Sequence, residues 1–213
     1  MIDAVLNVNA WWVGPHPLFE RATHVWLQGC PLRCPGCCNT EALEVDQPAL
    51  QWTPERLAAL CRDEPRGLVL FGGEPFLQAG PLARACELLR ERVPGITIVA
   101  YTGYVVEELL DLPGGPALLR QIDLLIDGPF EASRPSDSPL AGSSNQRILL
   151  LSGRLTRDQV AAASQRIAVG IEAGSVRMVG AGTAVPHMQR LARFVAAAPL
   201  GIDEPVTTDP RTR

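Results

Sequence analysis

At 213 residues, 46% of them apolar, the chain has the length and composition of one globular domain with a buried core. Nineteen basic and 23 acidic residues give a formal charge of −4 with no long run of one sign, which argues against a nucleic-acid binder. No secretory leader and no apolar stretch of membrane-spanning length are visible, so a cytoplasmic protein without membrane attachment is expected. All the basic residues are arginine, and any cationic site must use that side chain.

In chain order, residues 1–22 read as an irregular segment rich in aromatics and proline. Thr23 to Gln28 has the β-branched and aromatic content of a strand. Thr53 to Arg62 reads as a helix, with Thr53 as N-cap and Pro54 at its first position. Leu68 to Phe71 is an apolar run closed by Gly72-Gly73, the pattern of a strand buried on both faces. A helix over 81–92 and a strand over 96–100 follow, then helical pieces near 105–110 and 116–120 and a strand over 122–126. Residues 130–146, rich in Ser, Pro, Asn and Gly, form a loop before a fifth strand at 147–151. A hairpin is expected across Ala173-Gly174, and a helix over 186–198.

This alternation predicts an α/β fold, a partial (β/α) barrel of parallel strands with a C-terminal hairpin and helix. A core over 23–150 carries an extension of the same domain over 151–200 and ends in a tail over 201–213.

Four of the six cysteines fall between positions 30 and 38, and in a reducing compartment such a cluster speaks for metal ligands rather than disulfides. Cys30, Cys34 and Cys37 form a C-x3-C-x2-C pattern after the first expected strand, where parallel α/β folds place their sites. Three thiolates suit an iron–sulfur cubane with one iron left open. The same ligands with His24 or His16 would suit zinc. Adjacent residues rarely point into one metal site, so Cys38 is read as a neighbour, and Cys61 and Cys86 as core residues. Gly72-Gly73-Glu74-Pro75 offers close backbone approach and a carboxylate for an ammonium group.

These two motifs in this order resemble the radical S-adenosylmethionine superfamily. Within it Gln28-Gly29-Cys30-Pro31, Cys34-Pro35-Gly36-Cys37-Cys38-Asn39, Tyr101-Thr102-Gly103-Tyr104, Asp123 to Gly128 and Gly142 to Arg147 are similar to the activases of anaerobic ribonucleotide reductase. The resemblance implies a 4Fe-4S cluster on Cys30, Cys34 and Cys37, with S-adenosylmethionine chelated at the fourth iron. It implies that Gly72, Gly73 and Glu74 receive the amino group, and that Asn39, Thr102 and Asp127 face the cofactor. Arg147 would clamp a carboxylate. Reductive cleavage would then yield a 5′-deoxyadenosyl radical that takes hydrogen from the substrate. The implied partners are a glycyl-radical enzyme, or else a small-molecule or peptide substrate, and an external one-electron donor such as flavodoxin or ferredoxin. A non-enzymatic zinc or iron–sulfur module is the competing class.

Overall fold

The computed structural model describes residues 5–61, 67–164, 168–172 and 175–180. A seven-stranded mixed sheet organises them, in the order β3-β1-β2-β4-β5-β6-β7. β1 (Leu6–His16) turns at Pro17-Leu18 into β2 (Phe19–Leu27), and the short β3 (Leu50–Trp52) pairs antiparallel with the start of β1. β4 (Gly67–Gly72), β5 (Thr97–Tyr101) and β6 (Leu124–Asp127) then add parallel to β2.

Between the parallel strands run α1 (Pro54–Leu60), α2 (Ala79–Arg92), α3 (Val106–Leu109) and α4 (Gly115–Leu119). Thr53 caps α1 by accepting from the Arg56 N–H, and Pro54 follows at the position where a missing N–H costs nothing. These helices cover one face of the sheet, where Val25, Leu27, Leu68, Leu70, Ile98, Ala100 and Leu125 join Leu57, Leu82 and Leu89 in the main core. At the lower end of this core, the buried Asp123 carboxylate accepts from Ile98 N–H (2.8 Å), Ser152 (2.6 Å) and Arg90 (2.8 Å), tying β5, α2 and the end of β7 together.

Two expectations need correction. Residues 6–16 are not irregular but an eleven-residue strand, because its burial alternates strictly from Leu6 to His16 and its inward residues pack on the sheet. β7 (Arg147–Leu150) joins β6 antiparallel rather than parallel. The segment before it holds no helix, and without such a crossover the chain returns beside the strand it has just left. The sheet is therefore mixed and, among the described residues, open at β3 and β7.

The opposite face of the sheet carries Ala22, Val69, Val99, Leu124 and Ile126, covered by Leu140 and Leu155. The expected hairpin is present as β8 (Ala168–Glu172) and β9 (Ser175–Val179), and its Ala168 and Val179 pack with Ala10, Trp12 and Trp26. A capped helix not foreseen in the sequence, α5 (Arg157–Ala161), starts at Thr156. The helix expected over 186–198 and the tail lie outside the described residues.

Candidate functional site

The loop from Gly29 to Asn39 leaves the end of β2 and is fixed from several sides. Gly29 N–H and Cys30 N–H donate to the carbonyls of Ala42 (2.8 Å) and Leu43 (2.9 Å). The buried Gln28 amide donates to the Glu44 carbonyl (2.6 Å), and the Gln78 amide donates to the carbonyls of Gln28 (3.0 Å) and Asn7 (3.1 Å). Left-handed backbone at Arg33 (φ 51°) and Gly36 (φ 78°) winds the loop between its cysteines.

The end of β4 locks onto the same loop: Gly73 N–H donates to the Leu27 carbonyl (2.7 Å) and Glu74 N–H to the Gly29 carbonyl (2.8 Å). A Cβ at position 73 would lie 2.3 Å from the Gly29 oxygen, and Gly72 sits at φ +103° with Leu27 N 2.6 Å from where its Cβ would be. The pair of glycines is thus required by close packing of the two motifs.

One cavity gathers Cys30, Cys34, Cys37, Cys38, Asn39, Gly72, Gly73, Glu74 and Thr102. Glu74 is buried, and its carboxylate accepts from Phe76 N–H (2.9 Å), the Thr102 hydroxyl (2.9 Å) and Gly103 N–H (3.0 Å). Burial pushes its carboxyl up to about 7, against the three donors that favour the charged form. Thr102 therefore acts through Glu74, binding the end of β5 to the end of β4.

Asp127 and Arg147 are directed elsewhere and do not line this cavity. Arg147 Nε donates to Asp127 (2.9 Å), and its two terminal nitrogens reach Glu107 at 3.1 and 2.7 Å. The carboxylates it clamps belong to the protein itself. Asp127 also accepts from Val106 N–H (2.7 Å), so the pair fixes β6, α3 and β7 below the cavity wall. Asp127→Ala would leave that N–H and part of the guanidinium unpaired, and urea titration is expected to show a loss of about 2 kcal/mol.

Sequence reasoning did not assign the cavity wall to Phe71, Tyr101, Phe130 and Gln146, and it considered His16 only as a zinc ligand. Gln146 accepts from Gly142 N–H (2.8 Å) and donates to the Gly128 carbonyl (3.0 Å), holding the 128–146 loop in place. Phe71 and Tyr101 follow from the outward alternation of β4 and β5 once the covered faces are known.

The cysteine loop fits a cluster in two respects. Its three thiols face one cavity, and backbone N–H groups already point at two of the sulfurs: those of Leu32 and Arg33 at Cys30, and that of Asn39 at Cys37 (3.4 Å). In the described residues no three His, Cys, Asp or Glu side chains, the three thiols included, stand in a common metal-ligating geometry. Also among the described residues, no helix is long and apolar enough to cross a membrane.

A protein-family model described as "4Fe-4S single cluster domain" matches residues 21–149, more than half of the chain. The chain is 29% identical over 129 residues to the anaerobic ribonucleoside-triphosphate reductase-activating protein of Enterobacteria phage T4, covering 58% of this chain and 80% of the relative. It is 29% identical over 135 residues to the protein of the same name from Escherichia coli K12, covering 58% of this chain and 84% of the relative. The structure of QueE from Escherichia coli aligns at a TM-score of 0.39 and 20% identity, over 46% of this chain and 53% of that one, a likeness too slight to add to the assignment. By the family match over residues 21–149, the chain belongs to the 4Fe-4S single cluster domain family.

Proposed function

We propose that this protein is a radical S-adenosylmethionine enzyme that activates a glycyl-radical enzyme, an anaerobic ribonucleotide reductase in the first instance. The observation that carries the reading is the meeting of the three thiols with the Gly72-Gly73-Glu74 turn on one cavity at the ends of β2 and β4. In this reading residues 23–150 form the catalytic core, its four parallel strands belong to a partial (β/α) barrel, and the protein works in a reducing cytoplasm.

Cys30, Cys34 and Cys37 would hold the 4Fe-4S cluster and leave one iron to S-adenosylmethionine. The bound cluster would supply, from an external donor such as flavodoxin or ferredoxin, the one electron that cleaves the cofactor's carbon–sulfur bond. The Gly72-Gly73 backbone and the Glu74 carboxylate would take the methionine ammonium, with Thr102 fixing the carboxylate and Asn39 at the mouth. Phe71, Tyr101 and Phe130 line the cavity and would keep water from the bound cofactor. Asp127 and Arg147 would serve as positioning residues for the wall.

Anaerobic reconstitution followed by chemical reduction tests this. The expected result is a brown protein with about four irons per chain that forms 5′-deoxyadenosine and methionine, and that raises a glycyl-radical signal when mixed with the reductase. A colourless protein with one zinc and no deoxyadenosine would sink the proposal.

A further inference from the structure

Below the cysteine loop the cavity runs down the inner face of the sheet to His16. His16 is 2% exposed, and its Nδ1 accepts the Leu18 N–H at 3.3 Å. The ring proton of the neutral imidazole therefore sits on Nε2, for which no described residue provides an acceptor. Phe19 stacks on the ring at 5.5 Å and His24 lies 5.8 Å away, so the donor is held rigidly. His16 pairs with Phe19 at the start of β2, and its ring reaches within 5.8 Å of that of His24, three residues and about 10 Å before the strand's end at the cysteine loop.

The rest of the lining selects the partner of that donor. From this end upward the walls are apolar or aromatic: Pro17 and Val69 low in the cavity, Phe71 and Tyr101 just below Gly72 and Thr102. Among the described lining residues there is one acid, Glu74, and no arginine, and the chain contains no lysine. An anionic substrate would find no counter-charge there, whereas an uncharged carbonyl would find a fixed neutral donor.

Resting on the activase reading above, we propose that His16 is a specificity-determining residue that donates its Nε2–H to a main-chain carbonyl of the substrate's glycine-bearing segment. The cavity thus selects an uncharged peptide backbone over an anionic metabolite.

Deuterium transfer from acetyl-Ala-Gly-Ala-amide, deuterated at the glycine α-carbon, into 5′-deoxyadenosine tests this with reconstituted holoenzyme. His16→Phe, which keeps the ring stacking and removes the donor, is expected to raise the peptide KM about tenfold, with kcat and the S-adenosylmethionine Kd little changed. His16→Gln, which restores an N–H, is expected to recover most of that loss. In histidine-labelled holoenzyme with an oxidised cluster, the peptide is expected to shift the His16 Nε2 nitrogen resonance, a readout that holds even if His16→Phe does not fold. An unchanged peptide KM, an unmoved resonance, or an effect confined to the S-adenosylmethionine Kd would overturn the proposal, the last by assigning the donor to the nucleoside. Cofactor cleavage by the parent without deuterium transfer from the peptide would also overturn it. Absence of cofactor cleavage in the parent would instead count against the activase reading itself.

Discussion

Cys34→Ala is expected to abolish S-adenosylmethionine cleavage, lowering it by at least about a hundredfold, and to strip most of the iron, while the protein stays folded. Cys34 is only partly buried and sits in a loop whose path is set by backbone bonds elsewhere, including Cys37 N–H to the Cys34 carbonyl at 3.1 Å, which alanine preserves. Its sulfur contributes no packing to the cores. A loss of iron at unchanged melting temperature of the metal-free protein therefore reports ligation and nothing else. Cys86→Ala is the opposite control. That thiol is fully buried between α2 and the sheet, so its removal is expected to cost stability, about 1 kcal/mol, and to leave iron content and cleavage intact. Cys38→Ala is expected to retain iron, because Cys38, though it lines the cavity, directly follows Cys37, the proposed ligand, in the chain. Iron analysis, deoxyadenosine quantitation and calorimetry on the three variants separate these outcomes. Full cleavage by Cys34→Ala would remove the basis of the assignment.

The location of the candidate site was legible because its residues are concentrated: three cysteines and a Gly-Gly-Glu-Pro turn follow short apolar strands with sharp glycine stops, and they meet on one cavity. β1 was illegible for a physical reason: Asn7, Asn9, Gly14 and Pro15 are poor strand formers. Yet the two-residue burial rhythm of Leu6, Val8, Ala10, Trp12 and His16 was present, and tertiary packing overrode propensity. The direction of β7 was equally hidden, since strand content gives no sign of parallel or antiparallel pairing; only the lack of a helix between 128 and 146 carried that information. For Asp127 and Arg147 the residue types were informative and the destination was not. A bidentate clamp looks the same in sequence whether its carboxylate is a ligand's or, as with Glu107, the protein's own.

His24 gives the second large effect. Its ring is fully buried on the inner face of β2 among Trp12 (5.4 Å), Trp26 (6.1 Å), Phe71 (6.0 Å) and His16 (5.8 Å), and among the described residues neither ring nitrogen makes a hydrogen bond of good geometry, the backbone of Trp12 and Ala22 being near but poorly aligned. Burial pushes its pKa down to about 4, opposed in part by the nearby backbone of Trp12 and Ala22. His24→Phe fills the same aromatic site without stranded polar atoms and is expected to stabilise the protein by about 1–3 kcal/mol at pH 7. The advantage should then grow on acidification. Below the ordinary value of 6.5 the unfolded parent takes up a proton at His24 that the folded parent refuses until about pH 4, so the parent loses about 1.4 kcal/mol per pH unit across that window. His16, pushed down to about 3 by burial and by His24, adds a loss of the same sign, and its window extends lower. Glu74, raised to about 7, acts in the reverse sense: its folded form binds the proton first, so its contribution to stability rises as pH falls from about 7 to 4.5. Glu74 is present in both parent and variant and cancels, and His16, lowered first by its burial, keeps most of its contribution when His24 is replaced, so the difference chiefly reports His24. Urea titrations at pH 7 and pH 5 should show the gap widening by about 2 kcal/mol, and a gap that stays constant would show that His24 is charged or partnered in the folded protein.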